Sequence, residues 1–287
     1  MPREVRLGIT ACLGVLGSLL VTPRVAAEEH AVRTEPELRH FNLYDYAGTA
    51  AIAAAYYTVE LTQHNARSPV WKGPVLFDRA TRNWLVADSH RARDAAVRGA
   101  DVLWYASTAY PVLDALVTPN VRGRELAVSW NMTMMNFQSF MLTSLLIRMP
   151  HKWLGRTRPD SIGCATDDQY SVHCGHEGMF ASFPGGHVAV SMTGAGLSCA
   201  HHLHGKLYES AVADGVACGA ALTAATGVGW LRMRSDSHWL SDQLIGTALG
   251  FFPAMACRRC CTTTRFGVTS LRARVVCLAP GYRYCLG

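Results

Sequence analysis

The sequence predicts an all-α protein: a helical bundle of about six helices with a short β-like C-terminal tail. Three observations carry this. Six long segments, near 46–63, 92–118, 123–148, 187–204, 211–231 and 242–256, are apolar or amphipathic and dominated by Ala, Leu and Met. Period-two alternation is rare before the tail. Breaks rich in Pro, Gly and Asn, such as "TPNVRG" (118–123) and "RTRPDSIG" (156–163), separate the segments.

Taken in order, the chain divides into four parts. Residues 1–27 read as an export signal: Arg3 and Arg6, then an apolar run from Leu7 to Val21, then the small residues Val25-Ala26-Ala27. Residues 28–89 form an N-terminal segment with the first helix. Residues 90–256 form the main helical domain. Residues 257–287 are a Cys-containing tail, in which "RFGVTSLRARVV" alternates, is β-branched, and is followed by the turn "APGY". A retained N-terminal anchor is the alternative to cleavage.

Charged residues make up 17% of the chain, below the roughly 25% of an average soluble domain. Residues 126–147 carry no charge and are long enough to span a bilayer, yet they include Asn131, Asn136 and Gln138. The sequence leaves embedded and soluble forms open and tilts towards membrane association. The net charge of +6 is not gathered into a basic block, so a nucleic-acid partner is excluded and an anionic substrate or surface fits.

Ten cysteines in an exported chain imply an oxidising compartment. A Cys164–Cys174 bridge would staple a short polar segment, and a Cys199–Cys218 bridge would join neighbouring helices. Connectivity is left open by the sequence. "CRRCC" (257–261) lacks the second ligand pair of a zinc site. "HHLH" (201–204) and "HCGHE" (173–177) are read as structural rather than metal-binding.

Three clusters carry chemistry: "HKWLGRTRPD" (151–160), "SFPGGHVAV" (182–190) and "RMRSDSHWLSD" (232–242). Each places basic residues and a histidine at a helix end, which suits an anionic tetrahedral group. Arginine offers a planar fork to phosphate oxygens. Gly185 and Gly186 stand where a helix begins, with backbone N–H groups free to face an anion. Asp160 and Asp236 read as solvated loop charges.

In order and spacing these clusters resemble the type 2 phosphatidic acid phosphatase and vanadium haloperoxidase superfamily, over roughly residues 90–256. Arg158-Pro159 match the end of its first motif; Pro184, Gly186 and His187 match the second; Arg232, His238 and Asp242 match the third, with the expected five and three intervening residues. The chain departs from the pattern at three places: His151 occupies the lysine position with Lys152 beside it, Gly185 replaces a serine, and Leu231 replaces another. The resemblance implies a metal-independent phosphatase acting on a phosphate monoester or pyrophosphate, lipid-linked or small. His238 would be the nucleophile, Asp242 would accept its other imidazole proton, and His187 would act as acid and base. Arg158, Arg232, Lys152, Gly185 and Gly186 would hold the phosphate, with Ser182 or Arg156 as candidates to make good the missing groups. No cofactor is implied for phosphatase chemistry. The alternatives are a vanadate-dependent haloperoxidase and a non-catalytic binder of anionic lipid. The active site is expected outside the cytoplasm.

Overall fold

A computed structural model describes residues 41–124 and 126–261, together with the backbone of 276–279 and 282–284. All belong to one compact unit, Pro36–Gly287. The export signal and most of the tail, with the side chains of the "CRRCC" cysteines, lie outside the described residues.

The fold is all-α. Among the described residues the helices are α1 (Leu43–Thr62), α2 (Asp78–Leu85), α3 (His90–Val121), α4 (Leu126–Trp153), α5 (Ser161–Cys164), α6 (Gly186–Gly205), α7 (Ala211–Arg234) and α8 (Leu240–Cys261). All six expected helices form, most of them a few residues longer than their apolar pattern. Polar caps start several of them. Asn42 and Asp45 form a capping box on α1, and the Ser89 and Ser210 side chains accept the Ala92 and Ala213 N–H groups at the heads of α3 and α7. The unexpected α2 is only eight residues long and mostly polar. In the tail, Val276–Ala279 (β1) and Tyr282–Tyr284 (β2) pair antiparallel, as the alternating sequence around "APGY" suggests.

α6 is the hub, packing against α3, α4, α7 and α8, while α1 lies on α4. Its small residues permit this. A Cβ at Gly194 would fall 2.1 Å from the Ser107 carbonyl of α3, which Pro111, lacking an N–H, cannot bond. A Cβ at Gly250 of α8 would fall 2.0 Å from the Ala189 carbonyl of α6. A disulfide, Cys199–Cys218, joins α6 to α7, and a second, Cys164–Cys174, closes the loop between α5 and α6.

Beside a core that includes Met132, Met135, Val188, Leu197 and Val228, α3 and α4 bury many polar residues and expose large apolar ones. α4 buries Ser129, Asn131, Asn136, Gln138, Ser139 and Thr143 while exposing Leu126, Trp130 and Phe137. α3 buries Ser107 and Asp114 and exposes Val102, Tyr105, Leu113, Leu116 and Val117. Among the described residues α7 alone is long and apolar enough by composition to cross a membrane. The uncharged stretch of α4 falls short because of its amides and hydroxyls.

Candidate active site

The three sequence clusters meet at one end of the bundle: the end of α4, the loop after it, the start of α6, the end of α7 and the start of α8. Backbone pairing brings the first two together. The segment 155–158 is sewn between two others: Arg156 N–H donates to Phe180 O at 2.7 Å and Arg158 N–H to Met179 O at 2.9 Å, while Trp71 N–H donates to Gly155 O at 3.2 Å. The Gly185 N–H, at the entrance to α6, donates to Asp242 O at 2.9 Å, which ties the second cluster to the third and, contrary to expectation, takes that N–H away from a bound anion.

His238 is buried at the centre. Its Nδ1 lies 2.8 Å from Ser182 O. A carbonyl only accepts, so Nδ1 carries the proton and Nε2 carries the lone pair. That lone pair faces Arg158 Nη1 at 3.2 Å. Burial, with Arg158 and Arg232 nearby, pushes the His238 pKa well below the ordinary histidine range. A buried, deprotonated imidazole with a fixed tautomer is a competent nucleophile.

Arg158 is clamped by carbonyls: Nε donates to Gly178 O and Nη1 to Ser237 O, both at 2.7 Å, and Nη2 donates to Ala181 O at 3.0 Å. Burial brings its pKa down to about 10. Arg232 reaches across to Asp101 on α3, whose carboxylate also lies 3.8 Å from His187 Nε2. The His187 ring packs against Trp104, centroids 5.2 Å apart. His187 stands in the first turn of α6, beside Gly186.

Two expected roles are corrected. Asp242 does not take the second imidazole proton of His238: its Oδ2 is 3.8 Å from Nδ1, and the Ser182 carbonyl fills that place. Asp242 is a buried anchor. It accepts Ser182 Oγ at 2.6 Å, Trp239 N–H at 3.0 Å and Arg156 Nη1 at 2.5 Å. It therefore orients the nucleophile through the backbone on either side. Lys152 is not in the cradle. Its Nζ lies 3.5 Å from Glu60 on α1, where Arg148 also pairs. One residue earlier is about 100° away on a helix, and His151 takes the inward direction, buried against Gly186 with Nε2 donating to Pro184 O at 2.9 Å.

Nor does Arg156 face the phosphate side. Its fully buried guanidinium bridges Asp242 and Asp78, at 2.7 Å from the latter, and stacks on Trp71. Asp160 and Asp236, expected in solvent, are fully buried. Asp236 accepts two bonds from Arg82 and one from Tyr170; Asp160 accepts from Ser171 and His173. The cause is long-range: the disulfide-closed loop brings Tyr170, Ser171 and His173 to them, and α2 brings Arg82 to Asp236. Sequence reasoning passed over Asp78, Asp101, Asp160 and His173 as site neighbours. Only Asp160 stood close to a motif, directly after Arg158-Pro159.

"HHLH" does not form one cluster. His201 Nε2 pairs with Asn136 at 2.8 Å, whereas His202 bonds Asp214 and lies beside Asp114.

Residues 131–266, just under half of the chain, match the family model described as the PAP2 superfamily. No curated protein and no solved structure matches the chain.

Proposed function

We propose that this chain, whose residues 131–266 belong to the PAP2 superfamily, is an exported, membrane-embedded phosphoric ester hydrolase working through a phosphohistidine at His238. Its substrate is a phosphate monoester or pyrophosphate, lipid-linked in keeping with the membrane. The observation that carries the reading is the His238 ring: proton fixed on Nδ1 by a carbonyl, and Nε2 left as an unprotonated lone pair met by the Arg158 guanidinium.

In the first step Nε2 attacks phosphorus and the bond to the leaving oxygen breaks. His187 takes up a proton from solvent as the anionic substrate binds beside it and passes that proton to the leaving oxygen. The resulting N-phosphoimidazolium keeps its Nδ1 proton on Ser182 O. Arg158 and Arg232, with the N–H groups of Gly186 and His187 in the first turn of α6, stabilise charge on the non-bridging oxygens. In the second step His187 takes a proton from water, the water oxygen bonds phosphorus, and the P–Nε2 bond breaks to release phosphate. The missing lysine and serine leave fewer donors on the phosphate than the motif provides, so phosphate is held more loosely.

Membrane embedding is supported by the reversed distribution of side chains. Burying amides and hydroxyls while exposing Leu, Val, Phe and Trp is unfavourable in water. In hydrocarbon it is the expected arrangement, because polar groups seek one another and apolar groups face lipid. The catalytic groups gather where the helices end, at the surface where a lipid headgroup would lie.

Labelled p-nitrophenyl or lipid phosphate, quenched in alkali, should leave label on His238. Unlabelled protein, together with unimpaired turnover by His238→Ala, would overturn the mechanism. Release of the protein from membranes by an alkaline carbonate wash would overturn the embedding.

A further inference from the structure

The loop between α5 and α6 brings a further histidine to the site. His173 Nδ1 lies 2.7 Å from Asp160 Oδ2, and Ser171 Oγ bonds the same carboxylate oxygen at 2.7 Å. Asp160 is fully buried, and it follows Arg158-Pro159 directly in the chain. A carboxylate only accepts, so Nδ1 is the donor and the ring is held in one orientation. The opposite edge, Cδ2–Nε2, lies against Gly178: Cδ2 is 3.5 Å from where a Cβ on that residue would be. Gly178 O in turn holds Arg158 Nε. Nε2 itself makes no hydrogen bond among the described residues, and the side chain is 19% exposed. Arg158 and Arg232 act electrostatically on His173, and His173 acts on His187. The Cys164–Cys174 disulfide, one residue away, fastens this segment.

We propose that His173, backed by Asp160 and fastened by the Cys164–Cys174 disulfide, is a phosphate-binding residue of the site. Its Nε2 contacts a phosphate oxygen and supplies the contact that His151 and Gly185 leave out of the motif. This rests on the phosphatase reading above. The empty site keeps Nε2 unprotonated, since burial and the two arginines oppose the pull of Asp160. A bound phosphate adds negative charge beside it, Nε2 takes a proton from solvent, and the imidazolium donates to the phosphate oxygen with Asp160 as counter-charge. Asp160 and Ser171 contact the ring directly, and Arg158, Arg232 and His187 interact with it through charge.

The test measures inorganic phosphate as a competitive inhibitor of p-nitrophenyl phosphate hydrolysis in detergent. His173→Asn keeps a donor to Asp160 and loses Nε2; it should raise the inhibition constant about tenfold or more, the scale of one lost hydrogen bond to a charged group. Its melting temperature should stay close to that of the parent. The Cys164→Ser/Cys174→Ser double variant keeps His173 but frees its segment, and should weaken phosphate in the same direction. Inhibition constants within twofold of the parent in both variants would overturn the assignment while leaving the phosphatase reading intact. If the parent protein neither hydrolyses the ester nor binds phosphate, both readings fall together.

Discussion

Two buried histidines, at opposite ends of the bundle, show how neighbours decide what an imidazole can do. His202, near the end of α6, has acids at both nitrogens: Asp214 at 2.8 Å from Nδ1 and Asp114 at 3.1 Å from Nε2, with Tyr110 also on Nε2. Two acceptors require two N–H groups, so no lone pair remains and the ring acts as a strut between α3, α6 and α7. His238 is equally buried, but it has a carbonyl on one nitrogen and arginines about the other. One ring is closed and structural; the other keeps a lone pair for phosphorus. Depth of burial does not separate them. The sign of the surrounding charge does.

The sharpest way to break this contrast is substitution. His238→Ala should lower turnover of p-nitrophenyl phosphate by about three orders of magnitude or more, with little change in melting temperature. His202→Ala should do the opposite, leaving turnover per folded molecule intact while costing about 3–5 kcal/mol of stability, because two buried carboxylates lose their partner. Melting curves and active-site titration separate the two outcomes. A His202→Ala protein that is stable and inactive would reverse the assignment.

Next in size is the anchor beneath the nucleophile. Arg156→Ala strands Asp78 and Asp242 without their shared cation. A loss of about 3–5 kcal/mol is expected, read by thermal or denaturant unfolding in detergent. A change under about 1 kcal/mol would mean that the network is not a support.

The pH profile sharpens the contrast further. His238 reacts as the free base, and its folded pKa is well below 6.5. The acid limb of kcat/KM should therefore lie below the usual histidine range, activity being lost only as pH falls through that lowered value. The alkaline limb should include loss of the Arg158 charge near 10. Stability follows the same sign. Below about 6.5 the unfolded chain binds a proton at His238 that the folded chain refuses, so acid destabilises the fold. An acid limb at or above 6.5 that is absent from the His187 variant would contradict the His238 assignment.

The smallest effect concerns the lysine position. Lys152→Ala removes a pair with Glu60 away from the cradle and should leave phosphate inhibition unchanged. His151→Ala opens space beside Gly186 and Pro184 and should weaken it measurably. The reverse pattern would put Lys152 back in the cradle.

Much of the helical architecture was legible because long Ala/Leu/Met segments bounded by Pro-Gly breaks have few other ways to satisfy their backbones. The three motifs were legible because His238 and Asp242 lie one turn apart and Arg158 is fixed by its proline. What stayed hidden depended on long-range folding. Asp78 and Asp101 reach the site from α2 and α3, with nothing in their local sequence to mark them. Asp160 and Asp236 look like loop charges until the Cys164–Cys174 loop and α2 bring partners to them. α2 could not be seen because it is only eight residues long and mostly polar, too short to stand out from a loop.

The carbonyl of Ser182 has one more consequence. Where the orientation of a reactive histidine depends on a partner side chain, one codon change removes it. A main-chain oxygen survives every substitution at its own position. The tautomer of His238 therefore rests on the chain path from Ser182 to Gly185, while the Ser182 hydroxyl serves separately as a donor to Asp242. A shift in the length of that loop moves the oxygen itself and should be tolerated least.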